Sequence, residues 1–419
     1  MSEALELPLN DPWSMPLADI DLSEASLYAS DAIHPYLARL RRDAPVHYCA
    51  ESASGPYWSV TRYADIKHVD THHQTFSSEL GGISIAELEL EEFVQFENFI
   101  AMDPPKHTEQ RKTVAPSVAP ANLRNFKPII RERVIDILDQ LPVGETFNWV
   151  DEVSIELTAR MLATLFDFPY ADRRKLVHWS DLATASPQLM GDAGLSGEYR
   201  LKELTECANA FAALWHERAE REPGNDLISM LAHGESTKDM LQRPKEFLGN
   251  LMLLIVGGND TTRNSISGGA LAFQRYPDEF RKLQADRSLI PNAASEMIRW
   301  QTPVIHMRRT ATEDTELGGQ HIRAGEKVIM WYLSGNRDEA VFDDAERLIV
   351  DRPNARQHIA FGFGIHRCMG NRLAEMQLQV LWEEILERFE RIEVVGEPVY
   401  AANNFIRGIL ELPVQIARR

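Results

Sequence analysis

The chain has 419 residues, of which 44% are apolar and 26% charged, as in an ordinary globular protein. Its net charge of −19 argues against nucleic acid or an anionic membrane surface as the general partner. Three cysteines in so long a chain are too few for a disulfide framework, so we expect a reducing, cytoplasmic compartment. The N-terminal residues have neither the basic region nor the apolar run of a leader. The longest apolar run, Leu251–Val256, is too short to span a bilayer.

In chain order, the sequence predicts an irregular arm, then many helices and few strands. The arm, residues 1–34, is rich in Pro and acidic residues, and residues 35–419 form one domain without repeats or a dividing linker. Strand-like segments lie at 56–61, 304–309 and 326–332. Helical spacing of apolar residues predicts helices at 126–141, 151–167, 171–182, 198–221, 244–276, 289–301 and 369–389. The expected fold class is mainly α with a small β portion.

Two connecting segments have unusual compositions. Residues 81–100 carry Gly81-Gly82 followed by a series of apolar side chains. Residues 183–197 are rich in Pro, Gly and Ser and join two helices, a composition typical of a mobile lid.

The longest predicted helix carries a polar cluster at its centre. It begins at Pro244 and stops before Pro277, so its roughly 32 residues would span about 48 Å. Its centre contains Gly257-Gly258-Asn259-Asp260-Thr261, and each glycine inside a helix costs on the order of 1 kcal/mol. Taken alone, the cluster fits a close helix crossing, with Thr261 bonding back to the preceding turn, as well as it fits a functional site.

The most specific motif is the sequence FGFGIHRCMG over residues 361–370. A helix begins directly after Cys368, and a helix N-terminus favours a thiolate. Gly362 and Gly364 allow amide groups to approach the sulfur. A lone cysteine is more often a buried structural residue, but the glycines, His366 and the following helix favour a ligand loop. The segment resembles the cysteine-ligand loop of the cytochrome P450 family of haem-thiolate proteins.

This resemblance extends from about residue 35 over nearly the whole chain. It implies a triangular, α-rich single domain with haem b between the long central helix and the helix after the cysteine. Cys368 would bind the haem iron, and Phe361, Gly362 and Gly370 would form the loop around the cofactor.

The central helix matches the family's Gly-x-Asp-Thr pattern. The match implies that Asp260 and Thr261 deliver the protons needed for O–O cleavage, with Asp260 linked to solvent. Gly257 and Gly258 would leave room for O2 and substrate. This acid–alcohol pair favours a monooxygenase over haem-thiolate peroxygenases and isomerases, which commonly lack it.

A structural triad is the next family feature in the sequence. Glu296 and Arg299 lie at i and i+3 on one predicted helix, and Arg352 matches the arginine that completes the triad. The same spacing also occurs in routine surface ion pairs. We expect the three residues to support the fold rather than the reaction.

A second set of residues matches the positions that hold the haem propionates. His107 and Arg111 lie at i and i+4 and could bind one carboxylate together. Arg309 and His366 match the remaining positions, although the register leaves Arg308 as an alternative to Arg309. Buried propionates require such converging donors.

Within the family, residues 257–269, 331–339 and 361–378 resemble the bacterial alkane and fatty-acid terminal hydroxylases. The resemblance implies that one oxygen atom of O2 is placed on the end of a linear, apolar chain. Two electrons would come from a ferredoxin and its NAD(P)H-dependent reductase, which we expect to be separate proteins. Residues expected to line the substrate pocket are Ile83, Ile85, Leu254, Gly257, Gly258, Val304, Ile305, Phe405 and Ile406. Each apolar member is by itself as readily a core residue.

Docking of a ferredoxin needs positive charge on the cysteine side. Lys112, Arg367 and Arg372, which we call the basic patch, lie next to the motifs of that side. The patch would steer an acidic ferredoxin. Ordinary solvated charges are the alternative for each residue.

Three other functions remain open on the sequence. One is a monooxygenase of the same fold that oxidises terpenes or other cyclic apolar molecules. Another is a haem-thiolate sensor or carrier, against which the acid–alcohol pair argues. The third is a zinc or redox cysteine site, but no second cysteine lies near Cys368 in the sequence.

Overall fold

The computed structural model describes residues 11–86, 97–184 and 197–419. Its helices are α1 (Ser26–Ala29), α2 (Ile33–Asp43), α3 (Tyr63–Thr71), α4 (Lys106–Val114), α5 (Pro120–Gln140), α6 (Glu156–Phe166), α7 (Arg173–Thr184), α8 (Gly197–Ala219), α9 (Leu227–His233), α10 (Pro244–Arg275), α11 (Pro277–Ala285), α12 (Ile290–Gln301), α13 (Tyr332–Gly335) and α14 (Asn371–Arg388). Among these described residues, no helix combines the length and apolarity needed to cross a bilayer.

The strands form small sheets beside the helices. They are β1 (Val46–Cys49), β2 (Tyr57–Val60), β3 (Phe76–Ser77), β4 (Phe147–Asn148), β5 (Met307–Ala311), β6 (Thr315–Leu317), β7 (Gln320–Ile322), β8 (Lys327–Met330), β9 (Phe389–Val394), β10 (Val399–Tyr400), β11 (Ile409–Glu411) and β12 (Pro413–Arg418). The largest sheet has five strands in the order β1-β2-β8-β5-β3, with β2 and β8 parallel. In β5, Arg309 lies opposite Val328 of β8.

Each predicted helix is present, and the predicted strands appear as β2, β5 and β8. Some helices begin at other residues than predicted, because residues that favour a turn or a helix start override the apolar periodicity. Helix α5 begins earlier than predicted, with Pro120 in its first turn. The predicted helix 151–167 starts as a π-helical segment, Val150–Ile155, before α6. Several short helices and strands were not predicted, because segments of a few residues carry too little periodicity.

The central helix α10 lies in the main hydrophobic core. Pro244 occupies its first turn, and it ends at Arg275, before Pro277. Buried side chains of α5, α6, α10, α12 and α14 belong to the same core cluster. This core places the middle of α10 and the start of α14 within one packed body.

The described residues of the predicted arm, 11–34, are folded. Its described residues include a 3-10 turn, Leu17–Asp19, and helix α1. Buried side chains of the arm join a second core cluster with strands of the large sheet. Residues 11–34 therefore pack as part of the domain, while residues 1–10 lie outside the described residues. Residues 87–96 of the predicted apolar segment and residues 185–196 of the predicted lid also lie outside them.

Candidate functional site

Cys368 lies in a closed turn just before α14. Its amide donates a hydrogen bond to the carbonyl oxygen of Phe361 at 2.8 Å. Burial raises the pKa of the Cys368 thiol, while the amides of Gly370 and Asn371 and the charge of Arg111 act in the opposite direction. A thiol that coordinates a metal gives up its proton, so these donors would stabilise the ligated thiolate. The predicted position at a helix N-terminus is confirmed, since α14 begins at Asn371.

The glycines of the turn allow helix α3 to lie against it. Gly362 and Gly364 both have φ of +65°, a conformation that favours glycine. A Cβ on Gly364 would collide with the carbonyl oxygen of Asp70, and one on Gly362 would lie 3.4 Å from Asp70 Oδ2. The sequence suggested that these glycines admit amides to the sulfur; the structure adds that they make room for the end of α3.

Two buried histidines lie side by side near this turn. The ring centroids of His107 and His366 are 4.3 Å apart. None of their four ring nitrogens has a hydrogen-bond partner among the described residues. Burial, followed by Arg111, lowers the pKa of His107 to about 4. Burial, followed by Arg309, lowers the pKa of His366 to about 2.

Buried polar atoms without partners are rare in native proteins. A carboxylate placed beside the two rings would accept hydrogen bonds from them, with Arg111 and Arg309 close enough to affect their charge. The residues present therefore fit a haem propionate at this position.

Arg308 and Arg309 alternate along β5. Arg309 donates from Nη2 to Oδ1 of Asp70 at 2.9 Å and from Nη1 to the Arg308 carbonyl oxygen at 2.8 Å. The Arg308 guanidinium instead packs against Gly81, where an added Cβ would collide with it. After burial, Arg309 is the largest of the charges that lower the pKa of His366. This placement favours Arg309 over Arg308 as the propionate residue.

The predicted triad is assembled and fully buried. Glu296 Oε2 accepts a hydrogen bond from Arg299 Nε at 2.7 Å, and its Oε1 accepts one from Arg352 Nε at 2.9 Å. Arg299 and Glu296 have no exposed side-chain surface. These contacts fit a supporting role in the fold.

The middle of α10 presents one accessible face. Leu254, Gly257, Gly258 and Thr261 follow i, i+3, i+4, i+7 spacing. Gly257 is exposed and the other three are partly exposed, although they lie in the middle of a core helix. A Cβ on Gly257 would meet no atom within 4 Å, whereas one on Gly258 would lie 2.7 Å from Leu162 Cδ2 of α6. The two glycines thus differ: Gly257 leaves open space, and Gly258 permits a close helix crossing. The Thr261 hydroxyl donates to the Gly257 carbonyl oxygen at 3.0 Å.

Asp260 faces the other way, into a buried polar network with α7. Its Oδ2 accepts hydrogen bonds from Ser180 Oγ at 3.0 Å and Thr184 Oγ1 at 3.5 Å. Its Oδ1 pairs with Arg263 Nη2 at 2.5 Å, and Arg263 Nη1 pairs with Asp181 Oδ1 at 3.0 Å. Burial raises the pKa of Asp260, Arg263 lowers it, and Asp181 raises it.

The predicted link between Asp260 and solvent is not a direct contact, because the residue is 1% exposed. Its connection to the surface runs through Arg263 to the half-buried Asp181. Spacing could have indicated Arg263, three residues along the same helix. No sequence signal indicated Ser180 or Thr184, since only packing brings α7 beside α10.

The segments that carry Ile83, Val304, Phe405 and Ile406 lie side by side, and we call these four residues the apolar wall. Ile83, Val304 and Phe405 are partly exposed, whereas Ile406 is 5% exposed. The amide of Arg308 bonds to the Ile83 carbonyl oxygen at 2.8 Å, and the amide of Ile305 bonds to that of Phe405 at 2.9 Å. Val304 and Ile406 form an antiparallel bridge. Segments far apart in sequence are therefore neighbours, as the predicted pocket requires.

Ile85 and Ile305 do not belong to this wall. Both side chains have no exposed surface and pack in the second core cluster with Trp331 and Leu333. A side chain that lines an open cavity retains accessible surface, so the prediction that these two contact substrate is wrong. Along an extended segment alternate side chains point to opposite sides, and that choice of side was not fixed by the pattern.

The basic patch is exposed. Lys112, Arg367 and Arg372 are all exposed and form no ion pair within the described part of the chain. Arg111 of α4 donates to the carbonyl oxygen of Arg367, which joins α4 to the cysteine turn. The role of the patch in docking stays a prediction.

Comparison with known proteins identifies the relatives of the chain. Residues 198–399 match the family model described as Cytochrome P450. A linalool 8-monooxygenase of Pseudomonas putida is 38% identical over 405 residues, covering 94% of this chain and 98% of the relative. A methyl-branched lipid omega-hydroxylase of Mycobacterium bovis is 30% identical over 417 residues, covering 96% of each. The solved structure of CYP153D17 from Sphingomonas sp. PAMC 26605 is 48% identical with a TM-score of 0.89, covering 95% of this chain and 99% of that one.

Proposed function

The chain belongs to the cytochrome P450 family, and on that premise we propose that it hydroxylates linear aliphatic chains at the terminal carbon. The substrates would be medium-chain n-alkanes, fatty acids or related chains. Monooxygenases of this family use haem b and O2. The proposed electron source is a ferredoxin with its NAD(P)H-dependent reductase, and the proposed compartment is the cytoplasm.

The observation that carries the proposal is the accessible face of α10. Leu254, Gly257 and Thr261 lie on that face, and Gly257 leaves space where any other residue would place a side chain. Terminal attack requires that only the chain end reaches the reacting centre, because methyl C–H bonds are stronger than methylene ones. An apolar chain held along the apolar wall, with its end at Gly257, would meet this requirement. The relative named a methyl-branched lipid omega-hydroxylase supports attack at a chain end.

When bound, haem supplies the activation of O2. Cys368 would hold the iron, with the amides of Gly370 and Asn371 directed at its sulfur. His107, His366 and their neighbouring arginines would hold the propionates. These contacts come from α4, β5 and the cysteine turn, so they fix the orientation of the cofactor from several elements.

Asp260 and Thr261 would move the protons. Because burial raises the pKa of Asp260, its protonated form persists to higher pH than that of an ordinary carboxyl group. Thr261 is the next residue of the helix and lies on the accessible face, where its hydroxyl would hold a proton for the O2 chemistry that haem supplies when bound. Arg263 stays protonated and would position Asp260 through their ion pair, and Asp181 would in turn position Arg263.

Binding and product analysis test the proposal. Purified protein is titrated with octane, lauric acid and a cyclic monoterpene while the Soret band is followed, and the products of turnover are identified by mass spectrometry. We expect the linear compounds to displace water from the iron and to give mainly terminal alcohols. Gly257→Val should weaken binding of the linear compounds at least tenfold, since it fills the accessible face. Preference for the cyclic compound, or mainly subterminal alcohols, would contradict the assignment.

A terpene or terpenoid oxidase is the second candidate. The 38% identity to a linalool 8-monooxygenase favours it. The same titration distinguishes the two, because linalool would then bind more tightly than octane and lauric acid.

A further inference from the structure

Asp70 is a buried carboxylate at the end of α3 that joins three separate elements. Its Oδ1 accepts a hydrogen bond from Arg309 Nη2 of β5 at 2.9 Å. Its Oδ2 accepts one from Tyr332 Oη at the start of α13 at 2.8 Å, and one from the amide of Phe363 at 2.6 Å. Asp70 is 3% exposed, and its carboxylate is thus fully engaged.

Helix α3 also packs against the cysteine turn. The Lys67 ammonium group lies 4.4 Å from the centroid of the Phe363 ring. The end of α3 lies so close to Gly364 that no Cβ would fit there. Phe363 is therefore fixed by α3 through both its amide and its ring.

The partners of Asp70 belong to two different parts of the proposed haem site. Arg309 is the arginine placed beside the histidine pair, and Phe363 belongs to the turn that carries Cys368. A buried carboxylate is costly unless it is paired and hydrogen-bonded, and Asp70 satisfies both conditions through these residues. Its negative charge also offsets the positive charge of Arg309.

We propose that Asp70 is a positioning residue of the haem site that couples Arg309 to the cysteine turn and favours ferric over ferrous haem. The proposal rests on the roles proposed above for Arg309 and Cys368. Reduction adds one electron to the iron and removes one positive charge from the site. A buried negative charge close by therefore favours the ferric form.

Two substitutions should shift the equilibrium between ferric and ferrous haem in opposite directions. Asp70→Asn keeps the shape and an oxygen that can accept from the Phe363 amide, but it removes the charge and turns an amide donor toward Arg309. At a fixed solution potential we expect the ferrous-to-ferric ratio to rise about tenfold, which equals about 59 mV for one electron. Tyr332→Phe keeps the carboxylate and its arginine but removes one donor, so the charge is less dispersed. We expect the ratio to fall about twofold to threefold.

The experiment is spectroelectrochemical titration of the haem-loaded wild type and of both variants, with the ferrous–CO difference spectrum and urea unfolding measured on the same samples. Shifts of opposite sign support the proposal. If the Asp70→Asn protein is less stable but its ferrous-to-ferric ratio stays within twofold of wild type, the carboxylate is purely structural and the proposal is overturned. If Asp70→Asn does not fold, Tyr332→Phe still decides, because no shift or a shift toward the ferrous form overturns the proposal.

The wild-type spectrum separates this test from the premise. A ferrous–CO band at the long wavelength typical of thiolate-ligated haem establishes thiolate ligation whatever the substrate. If wild type gives only the short-wavelength form, the proposed role of Cys368 fails, and the Asp70 proposal falls with it. Neither result depends on which compound the enzyme oxidises.

Discussion

Arg299→Lys is the sharpest test of how the fold supports the site. All five N–H donors of Arg299 are used, each at 2.7 Å. Two bond to the Glu296 carboxylate, and three bond to the carbonyl oxygens of Asn336, Ala345 and Arg347. Lysine keeps the charge but supplies only three donors from one atom, so at least two of these five buried hydrogen bonds are lost. Each such loss costs about 1–3 kcal/mol, which predicts a decrease of about 2–6 kcal/mol in the free energy of unfolding.

A decrease of that size is a large part of the free energy of unfolding of a typical protein, about 5–15 kcal/mol. It is measured by urea unfolding followed by tryptophan fluorescence. The control is Arg221→Lys, since Arg221 is 59% exposed and pairs with the exposed Glu217. The control should stay within about 0.5 kcal/mol of wild type. If Arg299→Lys does the same, the five buried hydrogen bonds do not stabilise the fold as argued.

Three further predictions concern the proton path, the docking surface and the histidine pair. Thr261→Ala should divert reducing equivalents from product to hydrogen peroxide several-fold, whereas Ser265→Ala, which removes a hydroxyl that bonds to the Thr261 carbonyl oxygen, should remain coupled. Peroxide formed per NAD(P)H consumed is the readout, and full coupling in the threonine variant would count against the proton path. Reversing the three charges of the basic patch should slow reduction by ferredoxin at least tenfold at low salt, as measured by stopped flow. The difference from wild type should shrink as the salt concentration rises. An unchanged rate of reduction would contradict the docking role. Because burial lowers the pKa of His107 and His366 below the ordinary value of about 6.5, the unfolded apoprotein binds more protons than the folded one between about pH 6.5 and 4. The free energy of unfolding should therefore fall as pH falls through that window, and replacing both histidines by glutamine should flatten the dependence.

Some features were predictable because they are local. Helix α10 is bounded by Pro244 and Pro277, and proline restricts the backbone at both places whatever surrounds it. Cys368 at the start of α14 follows from the glycine turn and the periodicity after it. Glu296 and Arg299 share a helix face because three residues nearly complete one turn.

Other features could not be predicted from the sequence, because they depend on contacts between distant segments. Val304 and Ile305 are equally apolar neighbours, yet the first belongs to the apolar wall and the second to the core, and only the packing of the adjacent strands selects the side. The choice between Arg308 and Arg309 for the propionate site likewise depended on which side of β5 each side chain occupies.

The sequence by itself determined the cysteine turn, the polar cluster of the central helix and the family, because each is written in consecutive residues. It did not indicate Asp70, which lies almost 300 residues from the turn it holds, nor the α7 hydroxyls around Asp260. Buried polar partners are selected by donor and acceptor positions in space, and residues distant in the chain meet at those positions only after the core has packed.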